Sequence, residues 1–511
     1  MGSEMCIRDR RDVHVKTLWV FVKEARGLIT LKDFSREFSR ISGIMVSFSD
    51  WKDALRAVFS YPEPLVLVFD EFQNFLTSNP EVPSILQELI DSFSGKTKLK
   101  IIVIGSYIGM MKKLFGDYSA PLYGRVTHRI KIAPLRLHVI YSMLRDLGVR
   151  DLREFFKIYC VLGNLPRYYA IEYHRRIDWS FESLIRDLLS FDNPLLDEGE
   201  KVLRMELRRR AAICFSIMEA IAQGNKKLSA ISKYTGIQAT TLPKYLDELE
   251  EIELLERITP FGEKNSRRGI WEIRDNFLAF WFRYIYPYKS YLEIGEMDEA
   301  LNDVKRTIDE FIGKRFERAM REFLLIASHQ KLLGLPKIVE IGTWWGRGIE
   351  INIVAKTISG DLIVGEVKWR KEPITVRDVS LLIEKSRVFK ERTVPLIISE
   401  KISSEALSLL NEYEGIHINF KQIYEVLEGL RHLLPVHVED ARMDPILDQG
   451  GYARVRLGLG YLRFMMGEDE LYRPSVYVVL GAEVGEGYRS ILYVPARPSG
   501  AERRVPARLP F

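Results

Sequence analysis

The sequence is poor in most of the features that would settle its class at once. Its 511 residues include only three cysteines, Cys6, Cys160 and Cys214, too few and too scattered for a disulfide framework or a thiolate zinc site. Such usage fits a reducing, cytoplasmic setting. No apolar run approaches the roughly 18 residues that a membrane span needs. The longest, such as Leu65–Phe69 and Ile101–Ile104, are strand-sized, so no membrane partner is expected. Neither charge sign dominates: 75 Lys+Arg against 70 Asp+Glu leave +5, and any nucleic-acid binding must rest on local patches. The eight histidines show no ligand spacing, and no Gly-x-Ser-x-Gly elbow or Cys/His pair points to covalent catalysis. The last absence has the widest consequence. Nothing in the chain has the form Gly-x-x-x-x-Gly-Lys-Ser/Thr, whose backbone N–H groups and lysine neutralise phosphate charge. Lys16-Thr17 supplies the final pair, but Arg10 to Val15 contain no glycine and a strand begins almost at once.

What remains is an ordinary globular composition, 47% hydrophobic and 28% charged, long enough for about three or four domains. Residues 1–12 fit neither a signal peptide nor a helix or strand pattern and resemble an adapter-derived scar. Residues 431–511 also differ in composition: Lys421 is the last lysine, and glycines punctuate short strand-like runs. That tail reads either as a small β module or as misjoined, non-native sequence. Between the ends, residues 13–134 alternate apolar strands with amphipathic helices, the signature of a parallel sheet covered on both faces. Residues 135–203 read as a helical lid. Residues 204–290 run helix, short helix, turn at Gly236, helix over Ala239–Leu249, then a hairpin, which is the order of a winged helix-turn-helix. Residues 305–430 form a small α/β domain. The fold class is therefore α/β throughout, with a helical insertion.

The first chemical signal is the strand Leu65–Phe69 running into Asp70-Glu71-Phe72-Gln73. In a parallel sheet ligands gather at the carboxyl ends of strands. There Asp70 can orient a hydrated Mg²⁺ and Glu71 can polarise an attacking water. Two solvated acids at a strand end are the plainer alternative. Favouring the chemical reading, the next strand also ends in a hydroxyl, Ser106, after Gly105. With Ile104–Met111 (IGSYIGMM), Pro121–Arg125 (PLYGR) and Gly163–Tyr169 (GNLPRYY), the motif order over about Thr17–Leu430 resembles the archaeal ATPase family. That family comprises AAA/STAND-related P-loop ATPases with a winged helix and a C-terminal PD-(D/E)xK nuclease-like domain. The resemblance implies ATP and Mg²⁺ as cofactors, with Asp70 and Glu71 serving metal and water and Ser106 sensing the γ-phosphate. It also implies Arg125 as an arginine finger acting across a homo-oligomer, and Pro166 and Arg167 near the nucleotide. Because the phosphate loop is missing, the chain reads as an N-terminally truncated member with an incomplete P-loop core.

Two further constellations concern DNA. Gln238, Thr240, Thr241, Lys244 and Tyr245 would face a major groove if the third helix is a reader, with Lys264, Arg267 and Arg268 of the wing on phosphate; the acidic run Asp247–Glu253 opposes this. In the C-terminal domain, Glu317 on a helix, Asn352 on one strand and Glu366-x-Lys368 on the next match a nuclease metal hairpin, since alternation puts Glu366 and Lys368 on one face. Asn352 stands where that pattern has Asp, which lowers divalent-metal affinity. Trp344, Trp345 and Trp369 are candidates for stacking on nucleic acid.

Overall fold

The computed structural model describes residues 16–25, 28–105, 108–116, 118–132, 134–175, 178–207, 210–263, 266–431, 438–439 and 476–481. The chain divides into two compact units, Met1–Ala133 with Leu434–Phe511, and Pro134–Leu433.

The first unit is built on β1 (Lys16–Phe21), β2 (Leu65–Asp70) and β3 (Leu99–Gly105), three parallel strands paired in that order. β1 begins three residues before the Trp19 expected from the apolar run. On β2, Leu65, Leu67 and Phe69 join the buried cluster with the helices, Val68 on the other face is also buried, and Val66 is half-buried. The helices are Ile29–Ser42, Trp51–Phe59, Val82–Ser92 and Ile108–Phe115. Trp51–Phe59 starts at Asp50, whose carboxylate caps the Asp53 N–H, the arrangement that satisfies an orphan donor at a helix start. A fourth strand, β4 (Val126–Ile132), was not anticipated from the sequence. Val476–Gly481 lies between β3 and β4, antiparallel to both, and Val438–Glu439 borders β4. The 431–511 tail thus supplies strands to this sheet.

An aromatic cluster fixes the end of β2. Phe69, Phe72 and Phe75 meet edge to face or tilted at 5.3–5.7 Å, and Trp51 stands edge-on to Phe75 at 5.1 Å. Such rings add attraction beyond the area they bury. Since Phe72 and Phe75 are fully buried, the backbone between them and Phe69 has little freedom, and Asp70 and Glu71 occupy that stretch.

In the second unit, helices Leu137–Asp146, Leu152–Leu162, Pro166–Arg175, Phe181–Leu188 and Glu198–Leu207 lead to a trio, Ala211–Ala222, Leu228–Thr235 and Leu242–Glu251. The hairpin of β5 (Leu255–Ile258) and β6 (Ile270–Ile273) follows. Gly236 takes the left-handed conformation (φ 73°) that ends the second helix of the trio, a position suited to glycine. The third helix starts at Leu242, not at the expected Ala239. Pro243 is the reason: it lacks an N–H and is accommodated in a first turn. Thr240 and Thr241 therefore stand in the preceding turn, where the Thr241 and Leu242 N–H groups both donate to Gln238 O. The 32-residue helix Asp298–His329 leads to a five-stranded sheet ordered β11 (Ile416–Ile418), β10 (Thr393–Ile398), β9 (Leu362–Val367), β8 (Ile349–Thr357), β7 (Ile338–Gly346). β7, β8 and β9 are antiparallel, and β9, β10 and β11 parallel.

One half-buried acid here makes a pH prediction. Asp275 caps the helix Asn276–Phe280, accepting from Leu278 N at 2.7 Å. Desolvation pushes its carboxyl up to about 6, with Glu198 adding to the rise against the pull of that hydrogen bond, Arg315 and Arg318. A carboxyl whose folded pKa exceeds its unfolded value binds more protons when folded, so stability falls as pH rises from about 4 through about 6. Asp275→Asn keeps an amide cap and is expected to remove this slope. Thermal denaturation at pH 4.5 and 7.5 should show the variant gaining about 2–4 °C or more in Tm over the parent at the higher pH.

Candidate functional site

At the carboxyl end of the parallel strands Asp70 is 6% exposed. Its Oδ1 accepts from Glu71 N at 3.1 Å, and its carbonyl accepts from Val22 N at 2.8 Å, tying the ends of β1 and β2 together. Glu71 has φ 56°, a left-handed conformation that costs a side-chain-bearing residue about 1–3 kcal/mol and recurs where function fixes the backbone. Gln73 Nε2 donates to Glu71 Oε2, and Asn74 Nδ2 donates to Val22 O at 2.9 Å. Gln73 is fully buried and reaches the end of β3. A Cβ on Gly105 would lie 2.7 Å from Gln73 Oε1 and 2.3 Å from Met111 Sδ, so glycine is what admits the amide. The sequence contained Gln73 in its motif, but only the fold reveals it as the residue that orients Glu71. The ends of all three strands thus converge on this carboxylate pair. Ser106 lies outside the described residues.

The donors suit a hard cation: carboxylate oxygens at a strand end, one buried and hydrogen-bonded, are the ligands Mg²⁺ takes with water. No phosphate cradle is assigned among the described residues, since these 511 residues contain no Gly-x-x-x-x-Gly-Lys-Ser/Thr run.

Arg125 is differently placed from a free finger. Its Nε and Nη2 donate to the two Asp91 oxygens at 2.8 and 2.6 Å, and Nη1 donates to Pro121 O and Tyr123 O at 3.3 and 3.1 Å. The guanidinium holds the Asp91 carboxyl below its ordinary range. A role across an interface would require that bidentate pair to open.

In the second unit, Pro166 opens the helix Pro166–Arg175, and the GNLP turn is tied into its surroundings. Asn164 Nδ2 donates to Leu135 O at 2.6 Å, Asn164 Oδ1 accepts from Tyr159 OH at 3.1 Å, and Tyr169 OH donates to Gly163 O at 2.8 Å. Arg167 is 8% exposed and paired with Glu198, 1% exposed. Arg167, expected near the nucleotide or in packing, here has its guanidinium beside a buried acid.

The C-terminal constellation does assemble. Lys368 Nζ lies 2.6 Å from Glu366 Oε1, and Lys385 Nζ lies 3.3 Å from Glu366 Oε2. Asn352 is buried, its Oδ1 accepting from Val367 N at 3.0 Å, while its carbonyl accepts from Arg321 at 3.0 Å. Desolvation pushes the Glu317 carboxyl up to about 7, opposed by Arg321 and reinforced by Glu350 and Glu366. The set is poor in free carboxylate donors. Asn352 presents no charge and its side-chain oxygen serves the backbone, Glu366 is held by two ammonium groups, and among the described residues no three His, Cys, Asp or Glu side chains converge to hold an ion. Of the expected metal ligands Glu317, Asn352 and Glu366, the Asn352 side-chain oxygen accepts from Val367 N and the Glu366 oxygens face Lys368 and Lys385. Lys385 and Arg321 were missed because each reaches the cluster from a separate helix, although a lysine beside the buried Leu382, Ile383 and Ser386 was a visible hint.

Of the proposed DNA contacts, Gln238, Thr240, Thr241, Lys244 and Arg267 are exposed. Arg268 is paired with Glu263 and donates to Trp345 O at 2.8 Å, and Lys264 lies outside the described residues. Trp369 lies among aromatic and cationic side chains. It packs on Phe316 at 4.9 Å and Phe420 at 6.0 Å, under the Arg153 guanidinium at 4.6 Å.

Comparison with known proteins gives two family matches. Residues 8–170 match the model of an ATPase domain predominantly from Archaea, and residues 281–380 match archaeal and bacterial proteins of unknown function. An uncharacterized protein of Methanocaldococcus jannaschii is 34% identical over 345 residues, covering 66% of this chain and 75% of that protein. A Walker-type ATPase of Pyrococcus abyssi is similar at 19% identity and TM-score 0.38, covering 52% of this chain and 84% of that one. A Vibrio cholerae protein is similar at 9% identity and TM-score 0.21, covering 72% and 90%.

Proposed function

The chain belongs to the archaeal ATPase family, and on that premise we propose that Asp70 and Glu71 are the metal and water half of a Mg²⁺-dependent ATP-hydrolysing site. The observation that supports this best is the backbone of Glu71, held left-handed at φ 56° between the buried Asp70 carboxylate and Gln73. A pair of merely solvated acids has no need of such strain. Bound there, Mg²⁺ would supply charge neutralisation to the β- and γ-phosphates. Asp70 would hold it through its water shell, while Glu71 would draw the proton from an attacking water, with Gln73 keeping its carboxylate in register. No phosphate-binding step is assigned to these residues, because the glycine-rich cradle is not among them. The test is phosphate release from ATP, with Mg²⁺ and with chelator, by the chain joined to a Gly-x-x-x-x-Gly-Lys-Ser/Thr segment. Metal-dependent release is expected, and its absence in a chain that binds nucleotide would remove the proposal.

A second reading concerns the partner. The three helices and hairpin of 204–290 have winged-helix order, and the exposed Gln238, Thr240, Thr241 and Lys244 lie in and just before the third helix, which supports duplex DNA as the object on which the ATPase acts. Nuclease chemistry is not proposed: the donor set around Glu366 is that of an ion-pair cluster. No helix among the described residues is long and apolar enough to cross a membrane.

A further inference from the structure

The β5–β6 hairpin does not project alone. Phe261 N donates to Thr343 O at 2.8 Å, and the Phe261 ring packs on the core of the five-stranded sheet. The Arg268 guanidinium lies 5.8 Å from the centre of the Trp344 ring, and Trp345 Nε1 donates to Arg268 O at 3.2 Å. Gly346 permits this approach, because a Cβ there would come within 2.2 Å of Arg268 Nη1. These contacts fix the hairpin loop against the turn that joins β7 to β8. That turn carries Arg347, exposed and left-handed at φ 52°. Arg257 and Arg267 are exposed on the hairpin side. The opposing acids nearby are Glu263, already paired with Arg268, Glu350, across from Trp345 in the β7–β8 register, and Glu250, whose Oε1 accepts from Arg257 N at 3.2 Å.

The chemistry left accessible is cationic. Trp344 is engaged on one side by Arg268 and stands edge-on to Phe389 at 5.8 Å, and the Trp345 N–H is taken. Bases would find few open ring faces, whereas phosphates would meet the exposed guanidinium groups of Arg267 and Arg347, which have no ion pair among the described residues; guanidinium binds phosphate in a planar, bidentate manner. We propose that the β5–β6 hairpin and the β7–β8 turn form one continuous surface for the phosphate backbone of duplex DNA, with Arg267 and Arg347 as its phosphate contacts. The inference rests on the reading of 204–290 as a DNA-contacting module and extends that module onto the C-terminal sheet. The helix reads or abuts the groove, and the joined turns hold the flanking backbone.

The experiment is fluorescence anisotropy of a labelled random-sequence duplex, titrated with the full chain over a range of KCl concentrations. Arg347→Asn suits the left-handed turn and removes the guanidinium with its charge. It should weaken duplex binding by about 3–10-fold at low salt and reduce the log–log salt slope by about 1. Arg347→Glu should weaken binding further, and circular dichroism should match the parent for both. If both variants bind like the parent while Lys244→Ala or Arg267→Ala weakens binding, the shared surface is overturned and the DNA reading survives. If the parent shows no salt-dependent duplex binding, both fall. Tighter binding to a single strand of the same sequence, with Arg347→Asn affecting that strand alone, would overturn the commitment to duplex.

Discussion

Glu71→Gln is expected to lower Mg²⁺-dependent ATP turnover by about 100-fold or more in the chain joined to a phosphate-loop segment, with nucleotide affinity little changed. The amide keeps the size and the hydrogen-bonding reach of the carboxylate, so the link from Gln73 and the packing of Phe72 and Phe75 should persist. What it loses is the ability to take a proton, and general-base assistance contributes about 10²–10⁴-fold. Asp70→Asn should behave differently, because its loss falls on the metal: the Mg²⁺ concentration giving half-maximal activity should rise. Steady-state phosphate release at varied Mg²⁺ separates the two. Unchanged turnover in Glu71→Gln would leave Glu71 without the role given to it.

Arg167→Ala should destabilise the second unit by about 3–5 kcal/mol, because it leaves Glu198 buried without its partner. Chemical denaturation of the parent and variant measures this directly. Changing both partners together, to Arg167→Leu with Glu198→Leu, is expected to cost less than the single change, since no uncompensated charge remains. The same series separates packing from ligand binding. A nucleotide-contacting Arg167 would lose nucleotide affinity on truncation with little change in the denaturation midpoint, whereas the buried pair requires the reverse.

The contrast between Glu71 and Arg167 shows what was legible in the sequence. The β2 strand and its terminal acids were readable because a continuous apolar run of strand length followed by two carboxylates is a local pattern. The α/β alternation of 13–134 and the order of helices and hairpin in 204–290 were legible for the same reason. Pairings made over distance were not. Arg125 finds Asp91 across 34 positions, Arg167 finds Glu198 across 31, and Lys385 finds Glu366 across 19. Nothing in the spacing of these residues marks them as partners, so each arginine read as available when it was already committed. β4 escaped notice because its charged and apolar residues alternate in a short run, and its neighbour in the sheet, Val476–Gly481, comes from far along the chain. The misplaced start of the helix at Leu242 is a local error: Thr240 and Thr241 read as a helical face, but Pro243 sets the first turn after them.

The central claim is that the acids ending β2 were placed by the fold to hold a hydrated metal beside a nucleotide. The most direct measurement is a crystal structure of the phosphate-loop-joined chain with a non-hydrolysable ATP analogue and Mn²⁺, locating the ion by its anomalous signal. The ion is expected one water layer from the Asp70 carboxylate, with Glu71 facing the terminal phosphate. An ion and nucleotide bound elsewhere, with Asp70 and Glu71 unaltered and solvent on both, would contradict it.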